Sequence, residues 1–210
     1  MNVYASVKFT NFAREGQAMS VGAVIEQEGE PLKVVYYELL GVDMSKASEF
    51  VKHYDATMLR LSGLTLDKNV GIMIGRGILP DNTDVNIAYH QLSKEVAGIR
   101  LYENTFGRLK EGETVQFHVD CGHYSIVFLN DLLATAVETD STHIRTYHDV
   151  NNDIAKFFTN GNTEEAFDIS REDMIRNIKG IDFYQSVPRY HALYDSILTY
   201  MVSGLMKQFV

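Results

Sequence analysis

With 210 residues, 45% of them hydrophobic and 22% charged, the chain is long enough to bury a sizeable core. Its 19 Lys and Arg against 28 Asp and Glu leave a formal charge of −9, which argues against coating nucleic acid by bulk electrostatics but not against gripping a nucleic-acid end through metal ions. No apolar run reaches membrane-spanning length, the amino terminus has no basic-then-apolar signal pattern, and the single Cys121 fits a reducing cytoplasm.

Residues 2–9, NVYASVKF, alternate weakly and read as a first strand. Ala18–Gln27 and Lys33–Leu40 read as a hairpin around the loop Glu28–Pro31, so the chain opens with three antiparallel strands. Ser45–Leu61 follows as a helix, with Phe50, Val51, Tyr54, Met58 and Leu61 near one face. Gly63–Leu79 is short on charge, contains four glycines and reads as a loop crossing the sheet edge. Asp81–Asp84 reads as the start of an amphipathic helix through Ile87, Leu92, Val96 and Ile99 that extends to Leu109.

Val115–Leu133 is the stretch around which the rest is organised. Val115, Phe117 and Val119 alternate with Gln116, His118 and Asp120, the pattern breaks at Cys121–Gly122, and helical spacing resumes through Ile126, Val127, Leu129, Leu132 and Leu133. A strand that ends in polar residues and turns straight into a helix places its last side chains at the carboxyl edge of a sheet, where open α/β sheets carry their sites. Beyond it, His143–Tyr147 reads as a short strand, Asn151–Phe158 as a helix and Thr159–Thr163 as a loop. Ser170–Ile178 is a helix with Ser170 as cap and Asp173 at the capping-box position. Gly180–Pro188 connects to a last helix, Arg189–Gln208, with Leu193, Ile197, Tyr200, Met201 and Leu205 along one side. No repeats, low-complexity segments or Pro/Ser-rich linkers interrupt the chain, so one α/β domain over 1–210 is the economical reading.

His118, Asp120 and His123 form an H-x-D-x-x-H pattern that a transition metal could use, but the spacing is unspecific, no fourth ligand is apparent nearby, and polar residues at a strand end account for it. Tyr36, Tyr37, Phe183 and Tyr184 are candidates for stacking on bases, against the commoner reading of such residues as core or rim.

Three places carry a resemblance. They are Val3–Phe12 (VYASVKFTNF), Asp120–Ile126 (DCGHYSI) and Tyr190–Asp195 (YHALYD). With the order of elements, they resemble the DnaQ-like 3′–5′ exonucleases of the RNase H-like superfamily, and among these the small phage and bacterial exoribonuclease-like members. The resemblance covers nearly the whole chain, patchily. It implies an RNase H-like α/β fold, with a mixed central sheet of three antiparallel strands followed by parallel strands, flanked by helices.

The family's chemistry uses four carboxylates to hold two divalent ions, one generating the hydroxide and the other stabilising the leaving oxygen. Carried over, the Asp and Glu of the first motif fall on Ser6 and Lys8, and the Asp of the second motif falls on Ser125. The last Asp is kept as Asp195, while the family's catalytic His falls on Tyr190, with His191 one place further on. Hard Mg²⁺ or Mn²⁺ wants anionic oxygens, and here a lysine ammonium enters the set, free to pair with Asp195 where a metal ion would sit. Tyr190 and His191 offer the residue types of a general base, each at the other's spacing to Asp195. Asp149 resembles part of a segment that follows the second motif, and it also reads locally as the cap of the next helix.

The resemblance therefore implies a catalytically degenerate, exonuclease-like chain without a resident cofactor, retained for binding a single-stranded nucleic-acid end or a protein partner, with Asp120 and Asp149 as binding candidates. Two alternatives stand beside it. One is a working Mg²⁺- or Mn²⁺-dependent exonuclease that draws its acids from Asp120, Glu26 or Asp149. The other is an acidic, phage-type interaction or inhibitor protein that presents negative charge to a basic partner.

Overall fold

The computed structural model describes residues 1–13, 15–53, 63–88, 90–120, 122–136, 143–182 and 191–209. Strands β1 (Asn2–Phe9), β2 (Ala18–Glu26), β3 (Lys33–Glu38), β4 (Asp84–Ile87), β5 (Gln116–Val119) and β6 (Tyr147–Asp149) form one mixed sheet in the order β4-β3-β2-β1-β5-β6. The first three make the expected antiparallel meander, turning at the hairpin where Gly29 takes a φ of 79° that disfavours other residues. β5 lies parallel to β1 with Val3 opposite Phe117, and β4 and β6 add parallel strands at the two edges. This is the RNase H-like layout that the sequence implies.

The helices among the described residues are α1 (Glu49–His53), α2 (Gly63–Gly75), α3 (Lys94–Asn104), α4 (Gly122–Leu133), α5 (Val150–Phe158), α6 (Thr163–Asp168), α7 (Arg171–Lys179) and α8 (Ala192–Met206). Alternation in β1 sends Val3, Ala5 and Val7 to one face of the sheet and Tyr4, Ser6 and Lys8 to the other. Against the first face pack Ala97 and Leu101 of α3 and Leu129 and Leu132 of α4. Against the second pack Leu193, Ile197, Met201 and Leu205 of α8, joined by α2 and α5. α8 sits directly on the sheet backbone: a Cβ on Gly22 of β2 would lie 2.4 Å from the Ala192 carbonyl oxygen.

Four segments differ from the sequence reading. Gly63–Leu79 is not a loop; α2 occupies most of it, and Leu66, Val70 and Met73 fall on one buried helical face. Its glycines each lower helix propensity by about 1 kcal/mol, but packing of an apolar face outweighs propensity. Asp84–Ile87 is a strand and not a helix start, held beside β3 with Lys33 Nζ 3.1 Å from Asp84. The expected long helix therefore begins later, at Lys94, with Ser93 accepting from the Val96 N–H. The last short strand is Tyr147–Asp149, a few residues beyond the expected His143–Tyr147, and α6 was not anticipated. Of the expected helix Ser45–Leu61, a 3-10 turn at Met44–Lys46 and α1 are seen, and residues 54–62 lie outside the described residues. Among the described residues no helix is long and apolar enough to cross a membrane.

Candidate functional site

A cleft of about 440 Å³ opens at the carboxyl ends of β1 and β5, lined among others by Ser6, Lys8, Asp120, Arg171, Glu172 and Asp195. Each side chain arrives there for a local reason. Lys8 is the last residue of β1 on the face that α8 covers. Asp195 lies in the first turn of α8, where the helix dipole favours a carboxylate. The two meet with Lys8 Nζ 2.6 Å from Asp195 Oδ2. Burial pushes the Asp195 carboxyl above the usual carboxylate range, and the Lys8 ammonium acts in the opposite direction.

Asp120 follows β5 and is gripped from two sides: Arg171 donates Nε–H to Oδ2 and Nη2–H to Oδ1, both at 2.9 Å. The remaining guanidinium donors reach the carbonyls of Ala166 and Ile169 and the side-chain oxygen of Asn151, at 2.6, 2.7 and 2.6 Å. All the N–H groups of a guanidinium are thus used, in a residue only 6% exposed. Glu172 accepts from the Tyr194 hydroxyl at 2.7 Å and the Ser170 hydroxyl at 3.3 Å. Arg171 and Glu172 were not singled out in the sequence. An arginine at the first position of a helix opposes the dipole, and that misplacement was the available signal that a carboxylate waits for it.

Ser6 and Lys8 stand together in this cleft with Asp195 and Asp120. Ser125 does not line it; the serine is buried on α4, the helix that covers the opposite face of the sheet. Tyr190 lies outside the described residues, as do Cys121, Phe183 and Tyr184. His191 is buried as the cap of α8: its Nδ1 accepts from the Leu193 N–H at 3.2 Å, which leaves the proton on Nε2. Its ring packs on Tyr36 with centroids 4.5 Å apart, and burial, reinforced by the Lys8 charge, pushes the imidazole down to about 4. Tyr36 and Tyr37 are core residues and not a stacking surface; the Tyr37 hydroxyl accepts from Asn104 at 2.9 Å.

The H-x-D-x-x-H residues part company. His118 stacks on Tyr4, Asp120 goes to Arg171, and His123 Nδ1 lies 3.1 Å from the Tyr147 hydroxyl. Glu26 pairs in register with Asn2 at the far end of β1, roughly 20 Å of strand from Lys8. Asp149 lies two strands away and caps two helices at once, accepting from the Asn151 N–H of α5 at 3.0 Å and the Gly122 N–H of α4 at 2.9 Å.

A pair of hard divalent ions needs open carboxylate oxygens. Here the Asp195 and Asp120 oxygens hold an ammonium and a guanidinium, so the residues present do not fit the two-ion group. Among the described residues, no three or more His, Cys, Asp or Glu are grouped to hold a metal ion. Fold and cleft together define an α/β chain with an RNase H-like sheet whose cleft carboxylates Asp120 and Asp195 are ion-paired. Compared with models of protein families and with curated proteins, the chain matches none.

Proposed function

We propose that the chain is a catalytically degenerate 3′–5′ exonuclease-like protein that binds a partner at its cleft and does not cleave. The observation that carries this reading is the Lys8–Asp195 ion pair at the place where the resemblance puts a metal-binding carboxylate set. In-line displacement needs a metal-bound hydroxide and a charge clamp on the leaving oxygen, and Ser6, Lys8 and Arg171 supply neither. General-base help contributes about 10²–10⁴-fold, too little to replace both ions. Of the two partner classes, a protein is favoured over a nucleic-acid end. Phosphate binding draws on Lys and Arg, and the two cations lining the cleft are already engaged by carboxylates.

The test is a nuclease assay on single-stranded DNA and RNA with Mg²⁺ or Mn²⁺, run beside calorimetric titration of each metal. No cleavage and no micromolar metal binding are expected. Robust cleavage that survives stringent purification and disappears in Asp195→Asn would replace this reading with that of a working nuclease.

A further inference from the structure

Among the described residues, three buried side-chain polar atoms have no protein partner: Ser20 Oγ, Tyr36 Oη and His191 Nε2. None of the three residues is more than 1% exposed. They are not scattered over the core. Ser20 stands opposite Lys8 on one side and Glu38 on the other, and Gly22 stands opposite Tyr36. Ser20 and Tyr36 are therefore diagonal neighbours on the sheet face that α8 covers. The His191 ring packs on Tyr36 with centroids 4.5 Å apart, and the next residue, Ala192, rests on Gly22. The cluster thus lies under the start of α8, one strand over from the Lys8–Asp195 pair.

A buried donor left unpaired loses the whole of its hydration, so three of them side by side point to one shared partner. Their chemistry says what that partner is. His191 Nε2 can only donate, because Nδ1 already accepts from the Leu193 N–H. Burial pushes the Tyr36 phenol up and the Glu38 charge adds to this, so the phenol keeps its proton. The Ser20 hydroxyl opposes that shift, which puts the two hydroxyls close together although not aligned for a direct bond. The partner must accept from the imidazole and the phenol, satisfy a hydroxyl and fit an enclosed place. An anion there meets the Glu38 carboxylate, and a cation meets the Lys8 ammonium, whose charge reaches His191. A small neutral molecule that both donates and accepts is what remains.

We propose that this is an internal hydration site. One ordered water accepts from His191 Nε2–H and the Tyr36 hydroxyl and donates to Ser20 Oγ, three bonds being the usual number for a buried water. It ties the start of α8 to β2 and β3. The Asp195 N–H donates to the His191 carbonyl at 3.0 Å, one turn on, so the same water steadies the carboxylate that Lys8 holds. The inference is independent of what the cleft binds.

Urea titration of the wild type, Ser20→Ala, Tyr36→Phe and the double variant tests it. Each single change should raise the unfolding constant by about 2- to 10-fold, the range of one hydrogen bond. The double variant should fall clearly short of the product of the two, because both changes release the same water. A single variant at least as stable as the wild type means that its hydroxyl had no partner to lose, and overturns the proposal. A double variant at the full product does the same. A crystal structure at a resolution that shows ordered water gives a second, independent reading, with one water expected within hydrogen-bond reach of all three atoms. Direct bonds from these atoms to other groups of the chain, or a bound solute in place of water, overturn the proposal.

Discussion

At the scale of single residues, the cleft trades catalytic potential for internal pairing. Lys8 and Asp195 are both partly withdrawn from water, with 17% and 31% of their side-chain surfaces open, so each is the other's main compensation for lost hydration. Removing one partner leaves a stranded charge, whereas replacing both with apolar residues removes the problem. Lys8→Met is therefore expected to lower unfolding free energy by roughly 1–3 kcal/mol, and Lys8→Met/Asp195→Leu to recover most of that loss. Urea titration of the three proteins checks it. A double variant no better than the single one would mean that the pair itself is strongly net stabilising. This pair was legible in the sequence because the resemblance placed both residues at one sheet edge. The Asp120–Arg171 pair was not. Its partners are 51 positions apart, and no periodicity or local motif ties a strand-end carboxylate to an arginine on a distant helix.

At the scale of elements, legibility followed periodicity. β1 and β5 alternate at period two, β1 weakly, while β2 and β3 read as apolar runs either side of a turn, and all four appeared where expected. α2 was misread because low charge and glycines resemble a loop, although Leu66, Val70 and Met73 keep a helical spacing. β4 was misread because four residues at a sheet edge, only Ile87 of them buried, give no clean alternation. The cap Asp149 was read correctly for α5, but its second role, tying down the start of α4, is a tertiary contact that no local pattern announces. Because one carboxylate serves two helix starts, Asp149→Ala should cost about 2 kcal/mol, twice the usual cap, and Asp149→Asn much less. Denaturant unfolding measures the difference. Hydrogen exchange should rise at the first turns of both α4 and α5; a rise confined to α5 would remove the double role.

Across the whole molecule, buried imidazoles set the response to acid. Burial, with the nearby His148 and Lys207 charges, pushes His118 down to about 4, the same level as His191. Unfolded histidines titrate near 6.5. Above about pH 6.5 both residues are neutral in both states and add no slope. As pH falls from about 6.5 towards 4, the unfolded chain takes up protons that the folded chain refuses, so stability drops by up to about 3 kcal/mol for each. Asp195 and Glu38, raised by burial, bind protons first in the folded chain and offset part of that loss. The wild-type stability curve is thus expected to fall more steeply between pH 6.5 and 4 than that of His118→Gln/His191→Gln. Parallel curves would place both imidazoles at ordinary values.

Gly22 acts as a spacer of zero thickness. At that point only bare backbone separates β2 from α8, with the Ala192 carbonyl 2.4 Å from where a methyl would stand. Asp195 hangs from the same helix, one residue short of a turn further along, so its height above Lys8 is gauged by a side chain that is missing. A methyl at position 22 would lever the helix end away from the sheet and stretch the ammonium–carboxylate contact. The ion pair of the cleft is therefore held in place by an uncharged residue of the neighbouring strand, on the same face of the sheet as Lys8.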